Sequence, residues 1–209
     1  NGLANLRISK KKFIYLISPN NIYPRFYQDL KEVLKTGKVG LFQLRLKKYS
    51  FKQKILIGKK IKQICKKNGV KFLVNDDPIL SKKLNADGCH LGQKDMDLNE
   101  ARKIIGNKII GITCHNSINL AKAAIKGKAN YIAFGAFFST TTKKVKFKAT
   151  TKILNKAKKL TKTPIVVIGG INIDNYKKLL LNNANLLAIS SYIWNNKKYK
   201  PLETIKKLK

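Results

Sequence analysis

A single-domain (β/α)8 barrel, or TIM barrel, is the fold this sequence predicts, and three observations carry it. Eight short apolar runs recur along the chain, most of them followed by a lysine-rich stretch of helical pattern. Their starts fall about 17–33 residues apart, the rhythm of βα units rather than of hairpins. The chain has 209 residues and is 44% hydrophobic, which suits one domain with a sizeable core. A doubly wound sheet shares this local signature but usually has fewer strands.

The runs, in order, are FIYLIS (13–18), VGLFQLRL (39–46), KFLVND (71–76), GCHLG (88–92), IIGITCH (109–115), YIAFGAF (131–137), PIVVIGG (164–170) and LLAISS (186–191). Between the second and third lies FKQKILIGKKIKQICKKNG (51–69), where Ile55, Ile57, Ile61, Ile64 and Cys65 share a helix face and Gly69 is placed to stop it. NLAKAAIKG (119–127) repeats the design with Gly127 as the stop. No linker or composition break divides the chain: residues 1–12 read as a preamble and 13–209 as the barrel. No apolar run reaches the roughly 20 residues of a membrane-spanning helix. FIYLIS is too short for a signal-peptide core and no small-residue cleavage site follows it. Cys65, Cys89 and Cys114 form neither a disulfide framework nor a CxxC pair, so a reducing, cytoplasmic setting is expected.

The formal net charge of +35 points first to nucleic acid. The detail argues otherwise. Only Arg7, Arg25, Arg45 and Arg102 among the 45 basic residues are arginine, and the lysines spread over nearly the whole length. A nucleic-acid footprint would cluster its charge and use arginine for bidentate contacts. The expected partners are small anionic substrates, drawn in by the field, with no nucleic acid and no membrane; a homo-oligomer is left open. The acids are scarcer and more pointed: five of the ten (Asp76, Asp77, Asp87, Asp95 and Asp97) lie between residues 76 and 97, which suggests a site.

In a (β/α)8 barrel, function sits at the C-terminal ends of the strands. Strand alternation puts Gln43, Arg45 and Lys47 of QLRLK on one face, a comb suited to an amide-bearing or phosphorylated ligand; the alternative is a basic pair solvated as the strand exits. Asp76 and Asp95 fall near the ends of neighbouring strands, where two carboxylates can share Mg²⁺, an ion that keeps waters and takes substrate phosphate oxygens. Asp77 before Pro78 reads better as a helix N-cap. FFSTTTKK (137–144) offers hydroxyls and Lys143 to a phosphate, although Ser/Thr runs are usually plain loops. IGG and ISS end the seventh and eighth strands, where barrel loops often hold a phosphate; a simple turn is the alternative. His90 reads as a packed strand histidine, and His115 as either catalytic or structural.

Taken in order, QLRLK, NDD, ADGCHLGQKD (86–95), GITCH (111–115), FGAFFSTTTKK (134–144), VIGGI (167–171) and AISS (188–191) resemble the thiamine phosphate synthase family over roughly residues 13–195. The resemblance implies a (β/α)8 transferase of thiamine biosynthesis. Such an enzyme joins 4-amino-5-hydroxymethyl-2-methylpyrimidine diphosphate to 4-methyl-5-(2-hydroxyethyl)thiazole phosphate through a carbocation-like step, releasing pyrophosphate. It implies that Gln43, Arg45, Lys47, Asn75, Thr113 and Lys143 bind the pyrimidine diphosphate, with Arg45, Lys47 and Lys143 as the catalytic cations. It assigns Mg²⁺ to Asp76 and Asp95, and the thiazole phosphate to Thr140, Thr141, Thr142, Gly170, Ile189 and Ser190. Thr113 stands where the family usually has serine and keeps the hydroxyl; Ser139 stands where it usually has proline. A thiazole tautomerase-like relative using His115 is the nearest alternative, and a basic nucleic-acid binder the more distant one.

Overall fold

In the computed structural model of the chain, which describes residues 3, 6–139 and 148–209, eight parallel strands close into one barrel in sequence order. The strands are β1 (Ile14–Ile17), β2 (Val39–Leu44), β3 (Lys71–Asn75), β4 (Gly88–Leu91), β5 (Ile109–Thr113), β6 (Tyr131–Phe134), β7 (Ile165–Ile168) and β8 (Leu186–Ile189). The helices are α1 (Phe26–Lys35), α2 (Phe51–Lys67), α3 (Pro78–Lys83), α4 (Leu98–Ile105), α5 (Ile118–Lys126), α6 (Thr151–Leu160), α7 (Tyr176–Leu181), α8 (Ser191–Trp194) and α9 (Pro201–Lys207). Each of the eight apolar runs supplies one strand. Among the described residues no helix is long and apolar enough to cross a membrane.

Short polar signals start and stop these helices. Ser50 and Gln53 form a reciprocal capping box on α2, and Gly69, at φ +66°, turns the chain just beyond its end. Asp77 caps α3 by accepting from the Leu80 backbone N–H at 3.0 Å, with Pro78 in the first turn, so this aspartate is structural. Gly127 sits at the end of α5, but the left-handed residue of that turn is Lys128. A Cβ at Gly127 would fall 2.6 Å from Leu98 Cδ2, so a larger residue there would have to push aside the end of that half-buried side chain.

Strand alternation divides the core into two layers. Leu16, Phe42, Phe72, Ile132, Val167 and Leu187 face the helices. Tyr15, Leu41, Leu73, Ile109, Tyr131, Val166 and Leu186 fill the barrel interior. Leu6 and Ile8 pack against that interior cluster, so the segment read as a preamble also adds to the packing of the barrel core. The chain end is latched as well. Lys38 Nζ donates to the carbonyls of Ile205, Lys206 and Leu208, at 3.1, 3.2 and 2.6 Å, a cation on the exposed C-terminal carbonyls of α9. Lys38→Met is expected to cost about 1–2 kcal/mol. In a chain of this size that lowers the melting temperature by about 2–8 °C, and an unchanged thermal melt would show the latch to be idle.

Candidate active site

The C-terminal ends of the strands surround a cavity of about 700 Å³. Gln43, Arg45 and Lys47 all line it, so the alternation read from QLRLK holds. Gln43 is buried, Arg45 half-buried and Lys47 exposed, a comb climbing from the barrel interior to the rim after β2 has ended. Asn75, Asp76, Asp95 and Thr113 line the same cavity.

Asp76 takes a left-handed backbone, φ +65°, and its N–H donates to the His90 carbonyl at 2.8 Å. Non-glycine residues rarely adopt this conformation, though Asp and Asn tolerate it better than most. Burial raises the Asp76 carboxyl to about 6, helped by a hydrogen bond with Asp95 and by its charge and opposed by Lys47 and Arg45. Asp95 accepts from the Gly92 N–H at 2.6 Å, which holds the turn after β4. Among the described residues no group of three or more His, Cys, Asp or Glu gathers as a metal site. What Asp76 and Asp95 offer is an oxygen-only pair beside two cationic side chains. Such a pair fits a hard ion that keeps most of its waters and takes its other ligands from a phosphorylated substrate.

Only these two of the five clustered acids meet at the cavity. Asp77 caps α3, and Asp97 caps α4 by accepting from the Asn99 N–H at 3.0 Å. Asp87 accepts from the Phe72 N–H at 2.8 Å, tying the start of β3 to the chain entering β4. The remaining predicted residues are placed differently. Thr140, Thr141, Thr142 and Lys143 lie outside the described residues. Gly170 has φ +63°, and a Cβ there would meet the Phe138 carbonyl oxygen at 2.8 Å, so glycine is needed where this strand end crosses the chain leaving β6. Ser190 Oγ donates to the Ser18 carbonyl at 3.1 Å, joining the ends of β8 and β1. Ile189 is buried in the layer facing the helices, so its side chain points away from the cavity.

The structure adds residues that sequence reasoning passed over. Tyr15 and His90 line the cavity, and Tyr131 packs beneath it. Together they form a continuous polar chain. Gln43 Nε2 donates to Tyr15 Oη at 3.0 Å, Tyr15 Oη meets Tyr131 Oη at 2.8 Å, and Tyr131 Oη meets His90 Nδ1 at 2.6 Å. His90 Nε2 then meets Thr113 Oγ1 at 2.7 Å. Burial pushes both phenols upward, so they stay protonated. Burial, and after it the charge of Arg45, pushes His90 down to about 4, so its imidazole is neutral near pH 7. His90 is thus more than a packed strand residue: it joins the floor of the cavity to Thr113. The available signal was two tyrosines at inward strand positions, because a buried phenol needs a partner. His115 also lines the cavity, at φ +51°.

Comparison with known proteins finds relatives over nearly the whole chain. The family model described as thiamine monophosphate synthase matches residues 14–193. A protein of Pelagibacter ubique named thiamine-phosphate synthase is 68% identical over 200 residues, covering 95% of this chain and 97% of its own. One of the same name from Erythrobacter litoralis is 39% identical over 186 residues, covering 87% of each. Among solved structures, a thiamine phosphate pyrophosphorylase from Pyrococcus furiosus superposes with a TM-score of 0.83 at 28% identity, covering 95% of this chain and 94% of its own.

Proposed function

The chain belongs to the thiamine monophosphate synthase family and is a transferase that forms thiamine phosphate, and we propose that the cavity described above carries out that reaction with Mg²⁺. The substrates are 4-amino-5-hydroxymethyl-2-methylpyrimidine diphosphate and 4-methyl-5-(2-hydroxyethyl)thiazole phosphate. The observation that carries the reading is the meeting of Asp76 and Asp95 with Arg45 and Lys47 at one cavity wall.

The chemistry needs that wall. The bond between the pyrimidine methylene carbon and the diphosphate oxygen breaks with its electron pair going to oxygen. Negative charge therefore grows on the departing pyrophosphate, and groups aimed at that charge lower the barrier. Arg45 and Lys47 supply fixed positive charge there, and Lys143 is assigned the same role. Asp76 and Asp95 would hold Mg²⁺, whose contribution when bound is to neutralise charge on the phosphate oxygens. Asn75 and Gln43 orient the pyrimidine end, with Thr113 across the cavity. The thiazole nitrogen then gives its lone pair to the methylene carbon, forming the new C–N bond. Since the thiazolium product keeps no proton from that step, no general base is required. Holding the two substrates in contact supplies much of the remaining acceleration. Thr140, Thr141, Thr142, Gly170, Ser190 and, by its backbone alone, Ile189 are assigned to the thiazole phosphate.

The test is thiamine phosphate formation by the purified chain from both substrates. Product is expected with Mg²⁺, and its rate should collapse with chelator and return when Mg²⁺ is restored. A folded protein that forms no product under these conditions would sink the reading of the reaction. Equal rates with and without chelator would sink the metal assignment alone.

A further inference from the structure

The polar chain through the barrel has a direction. Gln43 turns its Nε2 to Tyr15 Oη, so Tyr15 receives a proton there and must direct its own hydroxyl proton to Tyr131. Tyr131, already accepting, directs its single proton to His90 Nδ1. An accepting Nδ1 fixes the imidazole as the Nε2–H tautomer, and that N–H donates to Thr113 Oγ1. Thr113 accepts from His90, so its own hydroxyl proton is free to point into the cavity. At the other end, one N–H of Nε2 is engaged by Tyr15, which fixes the orientation of the amide and leaves Oε1 as the acceptor that Gln43 offers a ligand. No member can reverse alone, because each phenol carries one proton and Tyr15 and Tyr131 are buried at 1% and 0% exposure. The five side chains come from five strands (β2, β1, β6, β4 and β5), so the barrel itself sets the spacing.

We propose that Tyr15, Tyr131 and His90 are positioning residues: a one-way hydrogen-bonded relay that fixes Gln43 as an acceptor and Thr113 as a donor, and so selects an aminopyrimidine over its oxo analogue. The proposal rests on the reading that this cavity takes the pyrimidine diphosphate. An exocyclic amine donates to Gln43 Oε1, and a ring-nitrogen lone pair accepts from the Thr113 hydroxyl. The oxo analogue carries an acceptor in place of the amine and a ring N–H in place of the neighbouring lone pair. It meets Oε1 and the Thr113 hydroxyl proton with the wrong sign, is left with the second Nε2–H and the second Oγ1 lone pair, which point elsewhere, and turning the Gln43 amide to suit it would require the whole relay to reverse. None of the three residues needs to touch the reacting carbon for this.

Two measurements test the relay. The first is calorimetric binding of the aminopyrimidine diphosphate and its oxo analogue, with Mg²⁺, to the wild-type chain, Tyr131→Phe and Tyr15→Phe. The wild type is expected to prefer the amino compound by about 100-fold, since the analogue leaves buried polar groups unpaired. Each phenylalanine variant cuts the relay and should lose at least about ten-fold of that preference, because Gln43 is then free to turn. The two variants open the chain at different links, so one that fails to fold leaves the other to decide. The second is nitrogen NMR of the imidazoles, with His90→Gln assigning the signal, where the Nε2–H tautomer is expected. Equal binding of the two diphosphates, an unchanged preference in the folded phenylalanine variants, or an Nδ1–H tautomer would each overturn the relay. Failure of both diphosphates to bind overturns it together with the reading of the cavity. Normal discrimination in binding without thiamine phosphate formation leaves the relay standing and defeats the proposed reaction instead.

Discussion

Asp76→Asn is expected to lower the rate of thiamine phosphate formation by at least about a thousand-fold, while the metal-free protein melts at an unchanged or higher temperature. The two halves of this result follow from one geometry. Asp76 lies beside Asp95, and its carboxyl is raised to about 6 by burial first and by that neighbour next. Near pH 8 and without a cation the two carboxylates repel each other. Asparagine removes one charge, keeps the size, and tolerates the left-handed backbone at φ +65°. The fold therefore loses nothing, whereas a cation shared with Asp95 loses half of its protein ligands. Alanine is the poorer choice, because it adds backbone strain to the loss of charge. Asp95→Asn is poorer too, because Asp95 also accepts from the Gly92 N–H. Steady-state rates at saturating Mg²⁺, paired with calorimetric melts, decide the matter. Wild-type turnover would remove Asp76 from the site, and a lowered melting temperature would make its role structural.

The sequence carried the frame of this site further than its floor. The period-two pattern of QLRLK was enough to put Gln43, Arg45 and Lys47 at one cavity, because the alternation dictated by the pleat carries on past the end of β2 at Leu44. Asp77 was legible as a cap because Asp-Pro at a helix start has a local mechanism. The excess of aspartates between 76 and 97 spoke less clearly. Asp87 satisfies the N–H of Phe72, 15 positions away, a partner set by the pairing of β3 with β4, whereas Asp97, three residues before Glu100, has a local helix-start pattern. The relay was the least legible part. Tyr15 and Tyr131 are 116 positions apart, and each alone looks like an ordinary core aromatic in an apolar run. Only barrel closure turns both inward and sets their hydroxyls 2.8 Å apart. Leu6 and Ile8 were missed for a related reason: their apolar partners exist only once the strands have closed.

Gly111→Ala is the second large effect, and it joins the fold to the relay. Gly111 lies on β5 beside Tyr131 of β6, and a Cβ there would fall 1.8 Å from Tyr131 Cζ and 2.1 and 2.2 Å from Cε1 and Cε2. The ring cannot step aside, being fully buried and held through its hydroxyl by Tyr15 and His90. One methyl group must therefore displace the ring or spread the strands, at a cost of about 3 kcal/mol or more. For a chain of this length that is a fall of about 6–12 °C in melting temperature. A bulk clash alone should be relieved by Tyr131→Leu in the same chain, since leucine leaves the volume that the new methyl group needs. The double variant is accordingly expected to regain much of the lost stability, so that its loss is smaller than the sum of the two single losses, as coupled contacting residues allow. It should not regain a tight preference for the aminopyrimidine diphosphate, because leucine has no hydroxyl to pass from Tyr15 to His90. Restored stability with weak discrimination would separate the two tasks of this position, packing the barrel interior and ordering its hydrogen bonds. If Gly111→Ala alone melts within about 1 °C of the wild type, neither task depends on this contact.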